Sequence, residues 1–257
     1  MNTTTFRLKP RLQAASIHFL FSIIIFVTLL WILLTLWYPE PFFTASGGWQ
    51  GLKLVAMVDI VLGPLIMFAI FDRSKGDRKL YTDIVIIVTL QISALVWGVV
   101  QVHGQRPIAA TFWEDRFYVV TAAELTPEQQ ATLSSYGDRF PVMTYAQDPP
   151  DIAGKEEMLQ RMQTLRQAPY TFTDYYRPYR ENLETIRRFK TNMKEVSTHN
   201  REMSEAYQQL LQEQQLGPED HFVIPLISKY HNILIVLDHQ GAILGYIDAP
   251  YKPMKKR

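Results

Sequence analysis

Three apolar stretches crowd the first 102 residues, each near the length at which a helix crosses a hydrocarbon core. Residues 16–38 run for 23 positions without Lys, Arg, Asp or Glu, and about 20 predominantly apolar residues suffice for one span. Residues 52–71 and 84–102 are two more stretches of suitable length, the first of them interrupted by Lys53, Asp59 and Gly63-Pro64. Lys53 lies at the end of its stretch, from where its ammonium reaches the interface. A cleaved signal fits the first stretch poorly, although Thr44-Ala45-Ser46 offers small residues downstream, because the apolar part of a signal is only about 7–15 residues long. The expected fold is a membrane protein with three N-terminal transmembrane α-helices (16–38, 52–71 and 84–102) followed by an α+β extracytoplasmic domain.

Orientation follows from the short connecting loops. Arg7, Lys9 and Arg11 precede the first stretch, and Arg73, Lys75, Arg78 and Lys79 join the second to the third. Basic residues beside spans stay in the cytoplasm. The loop 39–51 carries Glu40 and no Lys or Arg, and its Phe42, Phe43 and Trp49 suit the outer interface. Residues 1–15 are then cytoplasmic, 16–103 form the membrane domain, and 104–257 fold on the far side.

The average composition hides this division. The part from 104 onward holds 18 Lys plus Arg against 20 Asp plus Glu. Such a balance gives no pull toward nucleic acid, which is not expected as a partner. The chain has no cysteine, which excludes disulfides, a thiol nucleophile and thiolate metal sites.

Within 104–257, residues 111–120 read as one strand, with Trp113, Phe117, Val119 and Val120 facing a core. Thr126, Pro127 and Gln129 form a capping box that starts a helix. A second amphipathic helix is expected over 154–167, ended by Pro169, and 170–179 is an aromatic connector. Leu183, Ile186, Phe189, Met193, Val196, Met203, Tyr207 and Leu210 recur at helical spacing, with Asn200 in one slot. This predicts a long helix, or two in series broken within 197–200, closed by Gly217-Pro218. The near-heptad spacing also permits a coiled coil with a partner helix, but packing on the domain's own sheet is the favoured explanation. Residues 223–227, 233–237 and 242–247 read as strands, with Asp238-His239-Gln240-Gly241 as the turn of a hairpin. The expected sheet is antiparallel and packed against the helices.

No motif with a built-in mechanism occurs, so the chain is not expected to be an enzyme and no catalytic residue or cofactor is assigned. His231 and His239 fall near one another across the predicted hairpin but lack a third ligand, so no metal is expected. Asp59 is different, because an ionisable group inside a membrane is costly to keep there. It lies about 10 Å below the outer end of its stretch at a rise of 1.5 Å per residue. There it is either satisfied within the bundle by Thr28, Trp31, Ser93 or Trp97, or it faces a groove and accepts a polar group from another helix. Gly63 permits close approach, and Pro64 removes the backbone bond to Ile60. Asp59, Gly63, Pro64 and Asn200 are the candidate partner-binding residues.

The pattern Val58-Asp59-Ile60-Val61-Leu62-Gly63-Pro64-Leu65, the segment Arg106-Pro107-Ile108 leading to Asp115-Arg116-Phe117, and the closing hairpin over 233–247 resemble the TfpX/TfpZ class of type IV pilin accessory proteins. The resemblance covers most of the chain but carries no motif over 154–215. It implies a non-enzymatic protein of the bacterial inner membrane with a periplasmic domain. It also implies the major type IV pilin as partner, contacted through membrane and periplasmic parts and assisted in its stability or assembly into surface pili. Membrane lipids are the other expected partner, for the basic tail of Lys252, Lys255, Lys256 and Arg257 among others. Two other readings compete with it. A membrane-anchored periplasmic sensor would need a separate output partner, because its cytoplasmic parts are far below domain size. A membrane enzyme would have to use Asp59 with Gln91, Ser93 or His103.

Overall fold

The computed structural model describes residues 8–71 and 76–248. Arg7, Arg73, Lys75 and the tail residues Lys252, Lys255, Lys256 and Arg257 lie outside the described residues, as do the side chains of Leu54, Val58, Asp59 and Asp77. The chain divides into two compact units, one of Met1–Leu36 with Gly48–His103, the other of Trp37–Gly47 with Gly104–Arg257.

In the first unit, helix α1 (Leu8–Ile32) continues through a π-helical turn, Leu33–Trp37. After a short helix α2 (Phe42–Ala45), which belongs to the other unit, the stretch 48–70 is helical from end to end. Its winding changes midway: α3 (Gly48–Val55), a π-helical segment Ala56–Leu62, then α4 (Gly63–Ile70). The wide turns lie directly ahead of Pro64, which has no N–H to offer the carbonyl of Ile60. Helix α5 (Asp77–Gly104) completes the unit.

Among the described residues two helices, Leu8–Trp37 and Arg78–Gly104, are long and apolar enough to cross a membrane, and Ile60–Ile70 is apolar but shorter. The expectation of three spans is therefore met by two. In their most apolar windows only 6% and 0% of residues are buried, so neither is the covered core helix of a water-soluble fold. Side chains such as Leu20, Phe21, Leu90 and Trp97 stand more than half exposed, a surface suited to hydrocarbon. The hydroxyls of Thr28 and Thr35 donate to the carbonyls four residues back, Ile24 and Trp31, which removes their need for water.

The second unit is built on a seven-stranded sheet. Its strands are β1 (Pro107–Trp113), β2 (Arg116–Thr121), β3 (Val142–Ala146), β4 (Tyr176–Pro178), β5 (His221–Ile227), β6 (Ile233–Asp238) and β7 (Ile243–Ile247). Their order is β4-β3-β1-β2-β5-β6-β7. The sheet is mixed, correcting the antiparallel expectation: β1 runs parallel to β3 and β2 parallel to β5. Both parallel pairs are joined by long connections containing helices, the crossovers that parallel neighbours require. The single strand expected over 111–120 is a hairpin. Glu114 takes a φ of 58° at its turn, and the Arg116 guanidinium grips the Asp115 carboxylate through two hydrogen bonds of 2.6 and 3.0 Å.

Strands β5 and β6 are buried on both faces, which is why they read as unbroken apolar runs. On one face Ile224, Leu226, Ile233 and Ile235 pack with Phe112, Phe117 and Ile186. On the other, Val223, Leu234, Val236 and Ile247 pack with Met193, Val196 and Met203. These come from α9 (Met193–His199) and α10 (Arg201–Glu213), which follow α8 (Leu183–Arg187). The long helix is thus three short ones. The last ends at Glu213, with Gln215 taking the left-handed φ of 54° ahead of Gly217.

The expected capping box is present at α6 (Pro127–Thr132): Thr126 Oγ1 accepts from the Gln129 N–H, and the Gln129 side chain accepts from the Thr126 N–H. Helix α7 (Ile152–Leu165) starts on Asp151, whose carboxylate accepts from the Gly154 N–H. Arg161 of α7 stacks over the Phe172 ring at 4.4 Å and pairs with Asp174. The Arg161 hydrogen bond holds the Asp174 carboxyl below its ordinary value of 3.8. A depressed folded value stabilises above the unfolded one and is lost as pH falls through the folded one. The pair should therefore contribute at neutral pH and fade below about pH 4. Asp174→Asn is expected to cost at most about 1 kcal/mol at pH 7, the carboxylate being exposed, and less at pH 3. Denaturant unfolding at the two pH values checks this, and an equal cost at both would contradict it.

Candidate functional site

The first unit brings two of the predicted residues together with polar side chains from other helices. α1 packs along α4 and the π-helical segment before it. Gly63, the first residue of α4, is buried there. A Cβ at Gly63 would lie 2.5 Å from His18 Nε2 and 3.0 Å from Gln91 Nε2. His18 of α1 and Gln91 of α5 meet over this gap, their Nε2 atoms 3.3 Å apart. The absent side chain thus makes room for a polar contact between helices, which in hydrocarbon has no water to replace it. Pro64 follows in the first turn of α4, where it offers no N–H to the Ile60 carbonyl of the π-helical segment before it. The backbone of Asp59 lies in the π-helical segment, four residues before Gly63. Short π segments often mark functional places in helices.

Asn200 stands apart from these. Its extended backbone separates α9 from α10, and its Oδ1 accepts from the Met203 N–H at 3.1 Å. This is an N-cap, which explains why a polar residue occupies one slot of an apolar series. The break falls inside the predicted interval 197–200.

Beside Asn200 lies a groove of about 920 Å³ bordered by α9, α10 and β5. Lys190 and Lys194 stand at its rim, with Ser197, Ser204 and Gln208 along its length. At its floor the Tyr207 hydroxyl meets His221 Nε2 at 2.7 Å, and His221 Nδ1 meets the Gly217 carbonyl at 2.9 Å. The carbonyl only accepts, so Nδ1 carries the proton and Nε2 accepts from the hydroxyl. Burial pushes the Tyr207 phenol up, keeping it a donor. With both ring nitrogens engaged, this imidazole fastens α10 to β5. Lys190 and Lys194 share this largely apolar groove with Glu219, so it suits a partly apolar chain segment that bears a carboxylate beside the lysines.

The remaining histidines of the sheet-bearing unit are held separately, His199 by the Glu195 carbonyl at 2.9 Å. His231 Nε2 meets Asp248 Oδ1 at 2.7 Å, whereas His239 lies between Arg187 and the Glu219 carbonyl. Among the described residues no group of three or more His, Cys, Asp or Glu side chains is placed to hold a metal ion.

The loop between the first two apolar stretches has a role unforeseen in the sequence. Phe42 and Phe43 were expected at the outer membrane interface, and Ala45 was weighed only as a small residue beside a cleavage site, yet they are 4%, 1% and 0% exposed. Phe42 and Ala45 join the core that holds Phe112, Phe117 and Ile233. The His231 N–H donates to the Ala45 carbonyl at 3.1 Å, and the Thr44 hydroxyl lies 3.3 Å from that of Tyr246. A run of aromatics and small residues, empty of basic residues, was the signal; it fits an interface and a core equally well.

Comparison with known proteins gives one consistent direction. The family model described as "Fimbrial assembly protein FimB" matches residues 6–47, the first apolar helix together with this buried loop. The fimbrial assembly protein of Dichelobacter nodosus serogroup E1 is 24% identical over 233 residues, covering 88% of this chain and 90% of that protein. The serogroup I protein is 23% identical over the same shares. That of serogroups C1 and C2 is 26% identical over 113 residues, 44% of this chain and 86% of that protein. No solved structure matches. The chain is similar to fimbrial assembly proteins along most of its length.

Proposed function

We propose that this chain is a membrane-bound accessory protein of type IV pilus assembly, of the TfpX/TfpZ kind, that shelters or hands on pilin without catalysing a reaction. The observation that carries this reading is the similarity to fimbrial assembly proteins over 88% of the chain. In this reading all three apolar stretches span the inner membrane. The 23 helical residues of 48–70 supply the third crossing. Lys9 and Arg11 in the first turn of α1, with Arg78 and Lys79 at the start of α5, favour a cytoplasmic N-terminus and a periplasmic second unit.

The pilin's apolar helix would lie against the uncovered faces of the membrane helices, near the Gly63 notch and the Asp59 turn. The groove rimmed by Lys190 and Lys194 would receive an acidic segment of the pilin's soluble part. Neither contact requires bond chemistry, which accords with the absence of a mechanistic motif from the sequence.

Deleting the gene in its host, with total pilin and sheared surface pili quantified, tests the reading. Surface pili are expected to fall while unrelated membrane proteins keep their levels, and complementation restores them. A loss of total pilin identifies a stabilising role, and unchanged total pilin an assembly role. Unchanged pilin and unchanged pili would overturn the proposal. Asp59→Asn tests the membrane contact, since piliation and pilin co-purification equal to wild type would remove Asp59 from it.

A further inference from the structure

The two full-length apolar helices end in the same unit. The last residue of each, Trp37 and Gly104, belongs to the sheet-bearing unit. The next residues, Tyr38 and Gln105, line one cavity of about 580 Å³ within that unit. Successive Cα atoms lie about 3.8 Å apart, so covalent linkage alone keeps this cavity within a few ångströms of both helix ends. Where such helices leave the hydrocarbon, phospholipid headgroups begin.

The lining suits that place. Four tyrosines contribute to it: Tyr38, Tyr118, Tyr170 and Tyr230. Tyr118 and Tyr170 stack with ring centres 4.2 Å apart and planes within 3°, forming a flat apolar wall topped by hydroxyls. Tyr230 is 62% exposed, and the Lys229 ammonium lies 5.6 Å from its ring centre. An exposed tyrosine beside a lysine is the pairing found at membrane interfaces. Burial raises the Tyr118 and Tyr170 phenols, so they stay protonated as donors.

One atom in the cavity wall lacks a partner. Ser46 Oγ is shielded from solvent and makes no hydrogen bond, although it lines the cavity. Buried hydroxyls are normally satisfied, and this one points to a group that enters from outside. The acid of the lining, Glu124, is already engaged, its Oε2 accepting from the Thr121 N–H at 2.7 Å and hydroxyl at 2.8 Å. The remaining groups are donors: the Lys229 ammonium, the Gln105 amide, the serine hydroxyls and the phenols.

We propose that this cavity binds the phosphodiester of a membrane phospholipid headgroup, with Lys229 supplying the counter-charge and Ser46 and Gln105 donating to its oxygens. The site would fix the height of the sheet-bearing unit over the bilayer. It rests on the helices crossing the membrane and is independent of the pilus role.

Native mass spectrometry of the full chain in detergent, titrated with dihexanoyl phosphatidylglycerol, tests it. Wild type is expected to retain the lipid, and Lys229→Gln to bind at least about tenfold more weakly, as for loss of a charge-assisted hydrogen bond. Ser46→Ala is expected to weaken binding several-fold at an unchanged melting temperature. Glycerol 1-phosphate and inorganic phosphate serve as soluble probes. Binding of these as tight as that of the lipid would assign the site to free phosphate and overturn the lipid assignment. Equal lipid retention by wild type, Lys229→Gln and Ser46→Ala would overturn the site altogether.

Discussion

Replacing Phe43 by alanine should destabilise the sheet-bearing unit by about 3–5 kcal/mol, the usual cost of deleting a buried aromatic ring. Phe43 is 1% exposed, and its neighbour Phe42 packs with Phe112, Phe117 and Ile235. Domains of ordinary size are stable by about 5–15 kcal/mol, so this change removes a large share. The stronger form concerns truncation. A fragment of residues 104–257, lacking Phe42, Phe43, Ala45 and the carbonyl that His231 binds, should fail to unfold cooperatively. The same fragment with residues 37–47 attached through a flexible linker should recover a cooperative transition. Denaturant unfolding followed by near-ultraviolet circular dichroism reads both. A sharp transition in 104–257 alone, with the same midpoint as the supplemented fragment, would show the loop to be dispensable.

The second large effect is expected at Gly241. Its φ of +83° is strained for any residue with a side chain, and a Cβ there would lie 2.5 Å from the Tyr179 hydroxyl and 2.8 Å from two ring carbons. Tyr179 has little freedom to withdraw, because it is 6% exposed and its hydroxyl donates to the Gly241 carbonyl at 2.8 Å. Left-handed strain of about 1–2 kcal/mol adds to about 1–3 kcal/mol of overpacking. Gly241→Ala should therefore cost about 2–5 kcal/mol, measured as a shift in the denaturant midpoint. Gly241→Asn separates the causes, since asparagine tolerates the left-handed region but keeps the clash. A cost below about 0.5 kcal/mol for Gly241→Ala, the range of neutral surface changes, would mean that the turn rearranges freely.

Features set by neighbours in the chain were legible, and Gly241 is one of them. The turn Asp238-His239-Gln240-Gly241 needed an acceptor at its start and a left-handed residue at its end. Asp238 Oδ1 does accept from the Gln240 and Ala242 N–H groups, each at 2.8 Å. The capping box at Thr126 and Gln129 is equally local. The hairpin at Glu114 escaped notice because its turn contains neither Gly nor Asn; Glu114 is held left-handed by the pairing of Phe112 with Phe117 and Trp113 with Arg116. The mixed sheet escaped because parallel partners such as Phe117 and Leu226 are joined across helices that give no sign of strand direction. The break within 197–200 was legible, but Asn200 was assigned to partner binding, whereas its side chain caps the next helix. At the Gly63 notch, Gly63 and Pro64 were visible by residue type; Gln91 was named only beside Asp59 in the enzyme reading, and His18 was not singled out. Each is an ordinary polar residue in an apolar run, and only the meeting of α1 and α5 beside Gly63 brings them together.

The buried loop has a consequence in time. Thr44 and Tyr246, whose hydroxyls meet, are 202 positions apart in the chain. At about 5–20 residues per second of synthesis, Phe42 and Phe43 emerge roughly 10–40 s before the strand that completes their enclosure. During that interval two aromatic rings stay uncovered by their own domain. The domain closes last around one of the first pieces made, so its folding reports that the whole chain between them has been delivered.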